Sequence, residues 1–305
     1  MAHSLTRRTL VLLAVGLSAA LGLGTATAAA GPAHDRPFVA GAFGHEPVLE
    51  IPSAVTPSAT LDVRTAIPGR GPAAMKGEIL FAHYLLKVWR NNKLVEHSYG
   101  GTAPFDVPLG VGKLIKGWDQ GLLGVRAGSR VVLTVPPDWG YGPRGGIPEA
   151  GILKDDTLVF VVDVYGTYQS AASAVGKPGR PYDTRRLPSV ERVDGRQPAI
   201  TIPAAQPPRW PESRTLVEGR GPRVWPGQTA IVQHTTVAWR TGEVVDSSWR
   251  KGKPAAFTLR PGKTPDGLIA GLSGVRAGSR VLLVVPPAQG QTDTLVHVVD
   301  VLAAH

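Results

Sequence analysis

The chain has 305 residues, enough for two domains once a targeting segment is set aside. Its 37 glycines and 28 prolines exclude an all-helical bundle, and the absence of cysteine excludes disulfides, thiolate metal sites and a cysteine nucleophile. The formal charge of +10 comes from Lys and Arg spread along the chain, which reads as a basic soluble surface rather than a nucleic-acid interface.

The first thirty residues have a signal-peptide layout. Two arginines and no acid lie in Met1 to Arg8, an apolar run follows from Thr9 to Gly24, and Ala26-Thr27-Ala28 or Ala28-Ala29-Ala30 offers small residues for cleavage. The run is shorter than the roughly 20 apolar residues that span a bilayer, so cleavage rather than anchoring is expected. Arg7-Arg8 leaves the export route open between Sec and twin-arginine. No later segment is long and apolar enough to span a membrane, so the mature chain is expected to be secreted or extracytoplasmic, with no membrane attachment after cleavage.

The rest of the chain contains a duplication. Gly124-Val-Arg-Ala-Gly-Ser-Arg130 recurs unchanged as Gly274-Val-Arg-Ala-Gly-Ser-Arg280. The same spacing maps Gly69-Arg70-Gly71-Pro72 onto Gly219-Arg220-Gly221-Pro222, Trp89 onto Trp239 and Pro136-Pro137 onto Pro286-Pro287. Val161-Val162-Asp163-Val164 then matches Val298-Val299-Asp300-Val301 at a shorter spacing, so the second copy lacks a segment after the proline pair. Two tandem domains are expected rather than a solenoid. The reading is an extension over 31–43, a first domain over 44–168, a linker over 169–193 rich in Ala, Ser, Pro, Gly and Arg, and a second domain over 194–305.

Within each copy the pattern is mainly β. Glu78 to Trp89 and Thr229 to Trp239 are rich in β-branched and aromatic residues and end at the turns Asn91-Asn92 and Thr241-Gly242. Arg130 to Val135 and Leu158 to Val164 give two further strands, matched by Arg280 to Val285 and Leu295 to Leu302, with antiparallel pairing as the default. One short helix is predicted around Lys116 to Leu123, where Ile115, Trp118 and Leu122 share a face. A single helix packed across a twisted antiparallel sheet makes the class α+β. The eight histidines have no metal-like spacing.

Phe105, Leu109-Gly110, Leu114-Ile115-Lys116-Gly117-Trp118, Gly128, Pro137-Asp138-Trp139-Gly140-Tyr141-Gly142 and Thr157-Leu158-Val159-Phe160 occur in the order and spacing of the FKBP-type peptidyl-prolyl isomerases. The resemblance covers roughly 70 to 166, with Phe43-Gly44, Ile51-Pro52 and Gly69-Arg70-Gly71 resembling the lead-in strand of secreted bacterial members. It implies two FKBP-like domains, each a half-barrel of antiparallel strands wrapped over one helix. It further implies catalysis of cis–trans rotation at X-Pro bonds without cofactor or metal, on X-Pro segments of exported proteins, with macrolides as further ligands, no nucleic-acid partner and a monomeric chain. By resemblance Trp118 is the pocket floor, Tyr84, Phe105, Leu114, Ile115 and Phe160 are its walls, Tyr141 donates a hydrogen bond from a flap, and the Ile115 N–H holds a substrate carbonyl. Val95, Glu96 and Ile152 are further substrate contacts in the same sense.

The chain departs from the family where Val95-Glu96 replaces the usual Phe-Asp, and its flap, around Gly142 to Gly151, is about two residues longer. Losing the Phe face removes about 1–3 kcal/mol of apolar burial from the pocket. In the second copy Tyr84 becomes His234, Phe105 Ala255, Leu114 Thr264, Ile115 Pro265, Trp118 Leu268 and Phe160 His297, while Val245-Asp246-Ser247-Ser248 keeps the family's Asp. Proline has no N–H to offer a carbonyl. The second domain is therefore expected to fold but to be a weak or inactive isomerase serving as a binding or spacing module. The alternative for the whole chain is a non-catalytic peptide-binding or chaperone protein on the same scaffold.

Overall fold

A computed structural model of the chain describes residues 35–100, 103–287 and 292–305; the expected signal peptide lies outside the described residues. They fall into two compact units that divide between Thr167 and Tyr168.

The first unit begins with a small hairpin, β1 (Phe38–Ala40) against β2 (Val48–Glu50). Its main sheet holds β3 (Asp62–Ile67), β4 (Ile79–Val88), β5 (Lys93–His97), β6 (Phe105–Pro108), β7 (Ser129–Val135) and β10 (Leu158–Tyr168), in the order β3-β7-β10-β4-β5 with β6 also paired to β4. The one α-helix of this unit, α1 (Lys116–Gly121), follows β6, and a flap carrying the short pair β8 (Gly146–Ile147) and β9 (Ile152–Leu153) follows β7.

The central strands are mostly apolar along their length because both of their faces are covered. Successive side chains of a strand point to opposite faces. Leu80, Ala82, Tyr84 and Leu86 of β4 join Val131, Leu133, Leu158, Phe160 and Trp118 in one core. Leu85, Val132, Val159 and Val161 point the other way and pack against Leu49 and Ile51 of the lead-in segment. Helix α1 lies close to the sheet because two of its residues have no side chain. A Cβ on Gly117 would meet Val135 Cγ1 at 2.6 Å, and one on Gly121 would meet Leu133 Cδ2 at 2.9 Å.

The second unit repeats this plan with β14 (Glu212–Glu218), β15 (Thr229–Ala238), β16 (Val244–Ser247), β17 (Ala255–Thr258), β18 (Arg280–Val285), β19 (Leu295–Ala304) and helix α2 (Asp266–Leu272). The strand order is β11-β14-β18-β19-β15-β16, where β11 is Lys177–Pro178, and β17 pairs with β15. The helix again carries close-approach glycines, Gly267 against Val285 and Gly271 against Leu283.

The repeated heptapeptide has a structural task in each unit. Gly128 and Gly278 adopt φ of +85° and +88°, a region glycine enters freely. The next serine accepts a hydrogen bond from the backbone N–H of Gly69 or Gly219, at 2.8 and 2.9 Å. The following arginine is buried in a two-point ion pair, Arg130 with Asp163 and Arg280 with Asp300. Removing one partner of such a pair strands a buried charge, at a cost of about 3–5 kcal/mol.

Two sequence-based boundaries are corrected here. Residues 38–43, assigned to an extension before the first domain, are part of its fold: Arg130 donates to the carbonyls of Gly41 and Ala42 at 2.8 and 2.9 Å. Residues 169–193, assigned to a linker, belong to the second unit. Their Leu187, with Tyr182 and Val190, covers the outer face of the second sheet, and Arg280 donates to the Val193 carbonyl at 2.8 Å. The pair β12 (Ser189–Val190) and β13 (Ile200–Thr201) stands where β1 and β2 stand in the first unit. Trp89 Nε1 donates to the Val55 carbonyl and Trp239 Nε1 to that of Ala205, so the duplication reaches back through the lead-in hairpin. Its side chains diverged while the packing stayed.

Candidate functional site

Strands β4, β6 and β10, helix α1 and the flap converge on a small apolar cavity in the first unit. Tyr84, Phe105, Leu114, Ile115, Trp118, Tyr141 and Phe160 line it. These are the seven residues to which the sequence resemblance assigned the pocket, drawn from positions 84 to 160. Trp118 is the hub. The rings of Tyr84, Phe105 and Phe160 stand edge-on to it at centroid distances of 5.4, 6.1 and 5.5 Å. Tyr84 and Phe105 also meet edge-on at 5.8 Å. Such T-shaped contacts satisfy the ring quadrupoles and hold the walls rigid.

Three polar hydrogens on the residues lining this apolar box are without partners among the described residues. The buried Trp118 Nε1 and Tyr141 hydroxyl make no hydrogen bond among the described residues. The Ile115 N–H is also unengaged there, because Ile115 caps the start of α1 and only its carbonyl is used, by the N–H groups of Trp118 and Asp119. An unmade hydrogen bond on a buried donor costs about 1–3 kcal/mol, and a ligand carbonyl relieves that cost.

The three further residues expected to contact substrate do not line the cavity. Ile152 is buried and packs into the same core as Tyr141. Val95 packs against the same core from its edge. Glu96 is half-buried beside Tyr84. Burial pushes the Glu96 carboxyl above its usual range, opposed by a hydrogen bond from the Tyr84 hydroxyl. Burial, reinforced by the Glu96 charge, raises the Tyr84 and Tyr141 phenols as well, so both remain protonated donors at neutral pH.

The sequence reading missed the rim. Lys116 Nζ lies 4.1 Å above the centre of the Trp139 ring, joining the helix start to the flap. Asp119, in the first turn of α1, accepts the backbone N–H of Gly110 at 2.8 Å and of Gly112 at 2.6 Å, tying the preceding loop to the helix. An Asp three residues beyond a helix start, following a glycine-bearing turn, is the signal that was available.

In the second unit the corresponding position is filled by other chemistry. Helix α2 starts at Pro265, whose φ and ψ of −53° and 138° resemble the −63° and 150° of Ile115, so the same backbone turn is present without an N–H. Leu268 takes the place of Trp118 in a core whose buried members include no aromatic ring. His234 Nε2 pairs with Asp246 at 3.2 Å and Lys251 Nζ with the same carboxylate at 2.6 Å, so the retained Asp is committed to local partners. His297 Nδ1 meets the Thr236 hydroxyl at 2.9 Å, and burial lowers its pKa from 6.5 to about 4.

Comparison with known proteins matches residues 71–165 and 221–294, together more than half of the chain, to the family described as FKBP-type peptidyl-prolyl cis-trans isomerase. The FK506-binding protein of Streptomyces anulatus is 32% identical over 119 residues, 39% of this chain and 94% of that protein. The chloroplastic peptidyl-prolyl cis-trans isomerase FKBP13 of Arabidopsis thaliana is 38% identical over 104 residues, which are 30% of this chain and 50% of that protein, so the chain spans half the length of that relative. The crystal structure of AtFKBP13 superposes with a TM-score of 0.33 at 32% identity, covering 37% of this chain and 96% of its own.

Proposed function

The chain belongs to the FKBP-type peptidyl-prolyl cis-trans isomerase family, and from that premise we propose that its first unit is a working isomerase and its second a non-catalytic module. Both are FKBP-like domains of the α+β class. The observation that carries the reading is the convergence of seven apolar and aromatic residues on one cavity that also presents the unpartnered Tyr141 hydroxyl and Ile115 N–H.

Turning an X-Pro peptide bond breaks amide resonance, a barrier of about 18–20 kcal/mol, and neither forms nor cleaves a covalent bond. The protein therefore needs no nucleophile. The proline ring enters the box and stacks on Trp118, which strips water from the imide. The twisted geometry, with its single-bond C–N, is favoured in a site that offers no compensating solvent to the planar form. Tyr141 and Ile115 donate to substrate carbonyls on either side and hold the chain ends while the bond turns. Glu96 positions Tyr84 and keeps the wall polar at one edge.

The second unit lacks the floor, all three aromatic walls and the N–H donor, and we assign it to binding or spacing. The N-terminal segment directs export, and the substrates are X-Pro segments of exported proteins whose folding waits on isomerisation. Macrolides compete for the same box, weakened by the Val95 wall.

The test is catalysed isomerisation of a neutral X-Pro peptide by the full chain, followed with and without a macrolide. Acceleration that the macrolide suppresses supports the reading. No acceleration overturns it in favour of a peptide-binding protein on the same scaffold. N-terminal sequencing of the exported protein tests cleavage near residue 30.

A further inference from the structure

Beside the cavity, on the outer side of α1, a second and more open groove runs between the helix and the loop before it, lined by Lys76, Gly110, Leu114, Lys116, Gln120 and Leu123. Leu114 lines both hollows, so the groove begins where the cavity wall ends. A peptide whose proline sits on Trp118 leads its flanking residues out past the rim, and the groove lies on the other side of Leu114 from that proline.

Its floor and rim are amphipathic. Leu123 is 38% exposed, and Met75 and Val111, the neighbours in sequence of Lys76 and Gly110, are 57% and 47% exposed. The stem of Lys76 lies across Gly110, with its Cγ 3.1 Å from where a Cβ of that glycine would stand. Lys116 is held over Trp139 at the mouth. The one acid of the groove, Asp119, is buried and turned inward, with an oxygen on each of two backbone N–H groups. Lys76 and Lys116 line the groove and neither is in a salt bridge among the described residues, the Lys116 ammonium resting on the Trp139 ring. The second unit, which has no aromatic pocket to feed, carries Pro226 and Asp266 at these two positions.

We propose that this groove selects substrates, favouring prolines flanked by acidic residues, with Lys76 and Lys116 reading the carboxylates and Leu123 receiving an apolar neighbour. The proposal deepens the isomerase reading and rests on it for the position of the proline. Both lysines are exposed, so each contact is weak and screened by salt.

The experiment uses the full chain and three X-Pro peptides that differ only in bearing Glu, Ala or Lys on both sides of the dipeptide. Turnover is read as kcat/KM, and affinity is read separately by fluorescence anisotropy of labelled peptides, at low and at high salt. The Glu peptide is expected to exceed the Lys peptide by about three- to tenfold at low salt, and high salt should bring the ratio close to one. Double reversal, Lys76→Glu with Lys116→Glu, should invert the ratio between the Glu and Lys peptides, whatever it does to turnover of the Ala peptide. Equal affinity and turnover for the Glu and Lys peptides in the wild-type chain, or a preference that survives the reversal, overturns the groove. Absence of turnover on all three peptides is the separate failure of the isomerase reading; the anisotropy ratio still decides the groove in that case.

Discussion

The hydroxyl of Tyr141 is the smallest part of the pocket that can be removed alone. It is buried and unpartnered, so Tyr141→Phe deletes an unsatisfied polar atom and should leave the midpoint of denaturation unchanged or slightly raised. The same substitution removes a donor to the substrate, and kcat/KM should fall by about two- to tenfold, the worth of one neutral hydrogen bond. A fall in stability with unchanged turnover would place the hydroxyl in the scaffold instead. This residue was legible in the sequence because Trp139-Gly140-Tyr141-Gly142 stands in a known order. Glu96 was legible as a pocket carboxylate but not as the partner of Tyr84, because two side chains twelve residues apart meet only through the pairing of β4 and β5. For Ile152, expected as a substrate contact, sequence gives its place on the flap but not which way the flap's short β pair turns it.

Helix α1 has six residues, too few to be stable by itself, and it exists because it packs. Its contact with β7 depends on Gly117, which lies against Val135. Helix propensity alone favours Gly→Ala by about 1 kcal/mol. Gly117→Ala should nevertheless destabilise the first unit by about 1–3 kcal/mol, because a branched side chain on a central strand cannot yield to the new methyl group. Thermal melting of the variant checks the sign, and a stabilised protein would mean that the helix shifts outward at little cost. The strands and this helix were readable from β-branched runs and a three-to-four spacing. The lead-in hairpins were not, since β1, β2, β12 and β13 are two or three residues long and carry no period. The segment 169–193 looked like a linker because its anchoring is done by a few separated residues such as Leu187, and by backbone carbonyls that no composition records.

At the scale of the whole molecule, one scaffold occurs twice and the residues that line the pocket of the first copy are replaced in the second. The second unit filled that place with imidazoles, and this gives it an acid sensitivity of its own. His297 is neutral in the folded unit with a pKa of about 4, whereas the unfolded chain takes up its proton near 6.5. The unfolded state therefore binds more protons between these values, and stability should fall as pH drops from about 6.5 towards 4, by roughly 3 kcal/mol in all. Burial lowers His234 and His305 in the same direction. Denaturant unfolding at pH 7.5, 5.5 and 4.5, compared with a His297→Asn variant, should show a steeper loss in the parent chain; equal slopes would remove His297 as the cause. The duplication and the asymmetry of the two pockets were readable from the seven-residue repeat and the exchange of aromatics for His, Ala and Leu. The extent of the second unit was not, because its lead-in segment carries no apolar period. The proposed division of labour turns on Trp118, whose counterpart in the second unit is Leu268. The most direct measurement is isomerisation of a neutral X-Pro peptide by the full chain and by its Trp118→Leu variant, with circular dichroism confirming that both are folded. The account predicts clear acceleration by the parent and a rate close to the uncatalysed one for the variant. A folded variant that retains the parental rate would contradict it.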